Sequence, residues 1–309
     1  MTALIRPVVW EELEPVREMD AQVFSALFTK LSGQTVALTL RERAYFEHWK
    51  RTDQDGALVA VEDGEIVGFS FCHARGKRGF IGPLGVKTER QGAGIGKKLV
   101  AESLAYFAAK GCELVGLDTF PSNPAAVSLY MKAGFEITSS PIHLQAPLED
   151  VRLGATPPGS KLQVHRVIES DLDEIAAVEE RLSGFSRMPD LRFLYSSGLG
   201  TAWKLTRDGR HVGHACGLLK RGRGVLACLC AQDGVSVEEA AGLLLAQCLP
   251  FFRSRGLSQV SVLVSSENAR LASFLFGCGF RIMSVMVRMY HGERPQEPPL
   301  CSPLASEKG

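Results

Sequence analysis

Apolar and polar positions along the chain predict a succession of strands and helices. Residues 3–9 and 57–61 show the short apolar runs of strands, and residues 66–73 form a returning strand after a turn at 62–65. Residues 10–31 and 38–50 repeat apolar side chains at helical spacing. The same kinds of pattern return in the second half, with strands at 161–168 and 201–205 and a helix at 171–182.

The stretch 81–100 joins a strand to a helix through a glycine-rich turn. Ile81, Leu84 and Val86 indicate a buried strand, residues 91–96 the turn, and residues 97–109 the helix. Glycines at this junction leave the first helical N–H groups uncovered, so an anion can sit at the positive end of the helix dipole. The turn lacks the Gly-Lys-Ser/Thr of a Walker loop, and its glycines are out of register with the dinucleotide fingerprint. We therefore predict a phosphate cradle of another kind.

A second motif follows the predicted strand at 114–119. It consists of Asn123, a short helix that carries Tyr130, and the pair Gly134 and Phe135. Together, the turn Gln-x-x-Gly-x-Gly and this Asn-to-Gly-Phe segment resemble the two acyl-CoA motifs of the GNAT superfamily of N-acetyltransferases.

The resemblance implies an α/β fold with an α+β mixed sheet, acetyl-CoA as cosubstrate and no metal. It implies that the end of the strand pairs with the pantetheine arm and that the turn holds the pyrophosphate. The cofactor-binding residues expected on this basis are Leu84, Gly85, Val86, Gln91, Gly92, Ala93, Gly94, Ile95, Gly96, Lys97, Asn123 and Tyr130. In the family, the tyrosine also protonates the departing thiolate, so Tyr130 is the expected general acid.

The general base is harder to place. Some family members use a glutamate in the strand before the turn, but residues 80–86 contain no titratable side chain. His73 on the preceding strand and Asp118 on the following one are the nearest candidates for a catalytic role. Each is also explained as a structural polar group, and a water chain would serve equally well.

The second half repeats the first at an offset of 145 residues without a gap. This register aligns Val67-Gly68 with Val212-Gly213 and Gly134-Phe135 with Gly279-Phe280. It predicts two tandem GNAT-like domains, each a central mixed sheet flanked by helices. The boundaries expected are 1–145 for the CoA-binding domain, 146–161 for a linker, 162–290 for the second domain and 291–309 for a disordered tail.

The repeat has lost the features of the cradle. Gln91, Gly92, Gly94 and Gly96 fall on Ser236, Val237, Glu239 and Ala241, and Tyr130 falls on Leu275. Ser236 and Glu239 form the pattern of a capping box, and acidic residues at a helix start repel phosphate. The second domain is therefore predicted to be degenerate, with a role as scaffold, lid or partner surface.

The composition limits the classes of partner that we expect. The chain has 35 basic and 34 acidic residues, so it lacks the excess of positive charge that is typical of proteins that bind nucleic acid. Its 8 cysteines form no Cys-x-x-Cys pair and lie mostly in apolar runs, which favours a reduced, cytoplasmic protein without a structural metal. The N-terminus lacks the apolar run of a signal peptide, and no stretch approaches the roughly 18 uncharged apolar residues of a membrane span.

The predicted function is transfer of an acetyl group to a primary amine, by direct attack in a ternary complex in the first domain. The acceptor is a small-molecule or peptide amine, and the protein is a monomer or homodimer. Two alternatives stay open at this point. One is a non-catalytic acyl-CoA sensor, and the other is a specialised tandem acetyltransferase of the mycothiol-synthase type, where the second half carries the activity.

Overall fold

The structure is a computed structural model that describes residues 3–155, 159–232 and 234–292. It divides into two compact units. The first unit contains residues 3–138 and 287–292, and the second contains the described residues between 139 and 286.

The first half of the chain alternates strands and helices much as the sequence predicts. Its strands are β1 (Leu4–Pro7), β2 (Ala57–Glu62), β3 (Glu65–Arg75), β4 (Arg78–Val86), β5 (Leu114–Thr119), β6 (Glu136–Ser139) and β7 (Ile142–Pro147). Its helices are α1 (Leu13–Ser32), α2 (Arg43–Thr52), α3 (Ile95–Ala109) and α4 (Pro124–Lys132).

The second half repeats this succession. Its strands are β8 (Leu162–Arg166), β9 (Gly200–Arg207), β10 (Arg210–Lys220), β11 (Arg223–Ala231), β12 (Gln259–Val264), β13 (Arg281–Val285) and β14 (Val287–His291). Its helices are α5 (Leu172–Ser183), α6 (Met188–Ser197), α7 (Val237–Ser254) and α8 (Ala269–Gly277). Helix α6 begins and ends 145 residues after α2, so it occupies the equivalent position of the repeat, although the apolar pattern of the second half did not predict it directly.

Each unit contains a mixed sheet of 7 strands, and the two sheets have equivalent strand orders. The first sheet has the order β1-β2-β3-β4-β5-β14-β6, and the second has the order β8-β9-β10-β11-β12-β7-β13. The offset of 145 residues places β7 and β14 at equivalent positions of the repeat. Each of these two strands pairs in the sheet formed by the other half, so the halves exchange their last strand. The two-domain mixed α/β architecture is confirmed.

The exchange moves the boundaries away from those predicted. The expected boundary at 145 falls inside β7, which pairs with β12 from Gln259↔Pro147 to Val264↔Ile142. The first part of the expected linker at 146–161 also belongs to a folded unit, because Leu148 and Val151 are buried in the core of the second unit. Residues 287–290, expected in the second domain, belong to the first sheet. The predicted tail begins at 291, but His291 is the last residue of β14. From 293 onward, the predicted tail lies outside the described residues.

The core of the first unit fixes α3 against the sheet. Ile95, Leu99 and Phe107 of α3 pack with Ile81 of β4 and Leu117 of β5. Ile95 is the first residue of α3, and its side chain is 3% exposed. The helix therefore begins two residues earlier than the predicted 97, and the turn is correspondingly shorter.

Candidate functional site

The turn before α3 has the conformation that the glycine pattern predicts. Gly92 and Gly94 adopt φ angles of +83° and +81°, in the left-handed region that favours glycine. A Cβ atom at either position would meet no atom within 4 Å among the described residues. Gly94 is the N-cap of α3, and no side chain of the described residues caps the helix there. The first N–H groups of α3 are thus open to an anion.

The remaining turn residues shape and charge this opening. Gln91 donates its side-chain amide to the carbonyl oxygen of Val86 at 3.2 Å and so fastens the turn to the end of β4. Ala93 and Lys97 are exposed, and the first turn of α3 contains no acidic residue. At Gly96, a Cβ atom would lie 3.2 Å from the side chain of Leu129 on α4. This glycine therefore allows the close approach of the two helices.

Strands β4 and β5 separate where the pantetheine arm is expected. Their parallel pairing runs from Arg78↔Leu114 to Phe80↔Gly116 and ends there. The rest of β4 pairs with β3 on its other side, up to Gly68↔Val86. The edge of Leu84–Val86 that faces away from β3 is thus left beside the gap between the strands. We call this opening between β4 and β5 the splay.

Gly85 has a steric reason to be glycine. A Cβ atom at this position would lie 2.9 Å from the ring of Phe69 and 3.2 Å from Val23 of α1. Larger side chains would therefore displace α1 or β3 from the end of β4.

Tyr130, the residue expected to act as general acid, is buried on α4. It is 8% exposed, and its ring packs edge-on against Phe135 with a centroid distance of 5.9 Å. Its hydroxyl has no hydrogen-bond partner among the described residues. Burial raises the pKa of Tyr130 to about 12, so the hydroxyl stays protonated at neutral pH.

Asn123 is the N-cap of α4. Its side-chain oxygen accepts the N–H of Ala126 at 3.4 Å, and Asn268 caps α8 in the same way through Leu271 at 3.1 Å. Because both copies use the asparagine as a cap, the helix start alone explains it. Its contact with the cofactor stays a prediction.

His73 is enclosed in a structural network of the first unit. It is 3% exposed, its Nε2 lies 2.6 Å from the carbonyl oxygen of Gly82, and its ring packs edge-on against Trp49. Its Nδ1 lies 3.9 Å from a carboxylate oxygen of Asp53. These contacts brace β3 against β4 and favour the structural interpretation of His73 over a role as base.

Asp118 is paired with an arginine from the far end of the chain. Arg288 of β14 donates from Nε and Nη2 to the two carboxylate oxygens at 2.8 and 2.7 Å. The two side chains are 1% and 2% exposed. A carboxylate held in this bidentate pair is poorly placed to take a proton from an amine. The sequence analysis did not single out Arg288, although a lone arginine within the apolar run 285–290 is a detectable signal.

The equivalent region of the second unit is closed as the sequence predicts. Ser236 is the N-cap of α7, and its hydroxyl accepts the N–H of Glu239 at 3.3 Å. Glu238 lies in the first turn and pairs with Arg270 of α8 at 2.9 Å. A recess of about 400 Å³ adjoins this pair, with Arg152 and Phe274 also on its wall. The uncapped N–H groups of α3 thus have a capped and acidic counterpart in α7.

The described residues contain no group of three or more His, Cys, Asp or Glu side chains that is arranged to hold a metal ion. In that same part of the chain, no helix has the length and apolar character needed to cross a bilayer.

Part of the chain is similar to a known protein family. Residues 23–135 match the Acetyltransferase (GNAT) family. Mycothiol acetyltransferase of Streptomyces griseus is 39% identical over 85 residues, which cover 27% of this chain and 28% of the relative. The enzyme of the same name from Kytococcus sedentarius is 30% identical over 165 residues, which cover 46% of this chain and 55% of the relative. The matches thus span about a quarter to a half of these curated relatives.

Solved structures of similar fold cover almost the whole chain. A GCN5-related N-acetyltransferase from Sphaerobacter thermophilus superposes with a TM-score of 0.67 at 17% identity, covering 95% of this chain and 96% of that one. A tandem GNAT protein from the clavulanic acid biosynthesis pathway superposes with a TM-score of 0.65 at 14% identity, covering 95% and 99%. At these identities the likeness concerns the fold.

Proposed function

Residues 23–135 form an acetyltransferase (GNAT) domain, and on this basis we propose that the chain is an acetyl-CoA-dependent N-acetyltransferase with its active centre in the first unit. The observation that carries the proposal is the uncapped start of α3 beside the splay. Gly92 and Gly94 leave N–H groups open for the pyrophosphate, and Leu84–Val86 offer a strand edge for the pantetheine arm.

The proposed reaction is direct attack of a neutral amine on the thioester carbonyl of acetyl-CoA. A backbone N–H at the end of β4, near Val86, stabilises the negative charge that develops on the carbonyl oxygen. The tetrahedral intermediate collapses with cleavage of the carbon–sulfur bond, and Tyr130 donates a proton to the departing thiolate. The products are the acetylated amine and CoA.

Burial leaves Tyr130 with a proton to give. Its pKa is raised to about 12, so the hydroxyl is protonated throughout the working pH range. Because a thiol ordinarily has a pKa of about 8.5, the phenol is the weaker acid, and in this proposal it donates its proton only as the carbon–sulfur bond breaks and negative charge builds on sulfur. Because His73 and Asp118 are both engaged in structural contacts, in this proposal the amine loses its proton to water. The Tyr130 phenolate then regains a proton from water before the next turnover.

The curated relatives suggest a second class of acceptor. Several of them are named mycothiol acetyltransferase, at 30 to 39% identity over the matched segments. An amino-sugar thiol therefore belongs in the acceptor panel beside simple primary amines, polyamines and peptide N-termini.

The test is release of CoA from acetyl-CoA by the full chain over this panel, with thiol detection or mass spectrometry of the products. Transfer to a primary amine, lost in Gly94→Glu, supports the proposal. Tight CoA binding with no transfer to any acceptor favours the acyl-CoA sensor instead. Transfer that survives Gly94→Glu places the active centre elsewhere and contradicts the proposal.

A further inference from the structure

The outer end of β5 is held by the strand that comes from the end of the chain. Pairing between β4 and β5 ends at Phe80↔Gly116, whereas β14 pairs with β5 up to Val287↔Thr119. Beyond Gly116, β5 therefore has β14 as its hydrogen-bonded neighbour and the splay on its other side. Any ligand that enters the splay meets a wall whose position is set by β14.

The charged side chains of Asp118 and Arg288 link these two strands. These residues face each other across β5 and β14, and their side chains form two hydrogen bonds at 2.8 and 2.7 Å. Thr138 of β6 adds a hydrogen bond from its hydroxyl to the carbonyl oxygen of Arg288 at 3.3 Å. These bonds thus join β5, β14 and β6 beyond Gly116, where β4 no longer pairs with β5.

Stability of the fold does not explain this pair. Burial of two charges carries a desolvation penalty that often cancels their attraction. The second sheet shows that the same position accepts other residues, because His143 of β7 faces Leu263 of β12 there. The charged pair occurs in the sheet whose helix start is open, and the neutral pair occurs in the sheet whose helix start is capped.

We propose that Arg288 is a positioning residue, which fixes Asp118 and with it the outer end of β5 as one wall of the splay. The inference rests on the proposed function, since it assigns the splay to the acyl end of the cofactor. It also gives the second half of the chain a role in the first site. Strand β14 follows the second unit in sequence, so the site is complete only when the chain from 287 to 291 returns to the first sheet.

The decisive variant carries Asp118→Leu and Arg288→His together in the full chain. It copies the pair that the second sheet already contains and removes both charges, so neither is left buried alone. We expect an unchanged thermal unfolding midpoint and unchanged affinity for adenosine 3′,5′-bisphosphate, which reports the cradle. Amide hydrogen exchange across 114–119 should rise about tenfold as β5 loosens. The kcat for acetyl transfer should fall about 10- to 100-fold, because small misplacements of reacting groups are costly.

Two further variants separate positioning from structure. Arg288→Lys keeps the charge but loses the planar fork, so we expect a kcat between wild type and the double variant. His143→Gln changes the equivalent strand of the second sheet and should leave kcat unchanged.

Wild-type kcat in the double variant overturns the inference, and so does unchanged exchange across 114–119. A large fall in the unfolding midpoint also overturns it, because the pair would then serve the fold as a whole. If the wild-type chain neither binds acetyl-CoA nor turns over any acceptor, the proposed function fails. The exchange measurement still decides in that case whether Arg288 holds β5.

Discussion

Gly94 and Ser236 are the N-caps of corresponding helices, but they do not occupy corresponding positions. In the register of the repeat, Ser236 falls on Gln91, so α7 begins one turn earlier than α3. The extra turn, residues 237–239, takes the place of the open turn at 92–94. Where the first unit has an open turn, the second unit thus has helix, with two acidic residues, Glu238 and Glu239, at its start.

From this relationship we predict that one CoA binds per chain. The first unit offers uncapped N–H groups, whereas the second satisfies them internally and repels phosphate with its acidic residues. Isothermal titration of the full chain with CoA should give a stoichiometry of one. Hydrogen-exchange protection on binding should map to 91–98. Two sites per chain, or protection at 236–243, would contradict the prediction.

Removal of the Tyr130 hydroxyl should lower the rate of transfer more than the affinity for acetyl-CoA. Tyr130→Phe keeps the ring that packs against Phe135 but removes the proton for the thiolate. General-acid contributions are about 10²- to 10⁴-fold, so we expect a fall in kcat of that order with little change in CoA binding. Steady-state kinetics on a competent acceptor provide the measurement.

The control for this prediction is the equivalent residue of the second unit. Leu275 is fully buried, so Leu275→Ala should lower the free energy of unfolding by about 2–5 kcal/mol without a specific effect on kcat. If chemistry is rate-limiting and Tyr130→Phe keeps the wild-type kcat, then Tyr130 serves only as an aromatic residue of the core.

Local signals in the sequence were sufficient for the turn and for the strand and helix that it joins. Glycine placement and the apolar pattern predicted β4, the turn and α3 to within three residues, because these features depend on neighbouring residues. The exchange of β7 and β14 could not be predicted in this way. The two strands occupy equivalent positions of the repeat, and a strand pattern does not specify which of two similar sheets it joins.

The same limit applies to the candidate bases. The residues that engage Asp118 and His73 are set by tertiary structure, and the partner of Asp118 lies 170 residues away. The sequence identifies titratable side chains near a site. It does not identify a guanidinium on another strand that forms an ion pair with the carboxylate.

A pH-dependent loss of stability is expected from His143 of the second sheet. Burial lowers the pKa of His143 to about 4, with nearby Arg223 and Lys220 adding to the effect. In the unfolded chain, this histidine takes up a proton near its ordinary pKa of about 6.5. The unfolded state therefore binds more protons between these two values, and stability falls as the pH drops from about 6.5 towards 4.

The variant His143→Leu tests this dependence. The substitution removes the titrating group. The change that it causes in the free energy of unfolding should therefore be more favourable at pH 5 than at pH 8, by up to about 2 kcal/mol. Chemical denaturation at the two pH values measures the difference. Equal effects of the substitution at pH 5 and pH 8 would show that His143 does not titrate on unfolding.

The most direct test of the central claim is calorimetric titration of Gly94→Glu with CoA. The substitution places a carboxylate where the pyrophosphate is expected, at a residue whose φ of +81° also disfavours side chains. The matched control is Gly64→Glu in the β2–β3 turn, where φ is +82° and the surroundings are equally open. Both variants should lose about 1–2 kcal/mol of stability from backbone strain. We predict that Gly64→Glu binds CoA with wild-type affinity and that Gly94→Glu shows no binding heat. Wild-type affinity in Gly94→Glu would contradict the account.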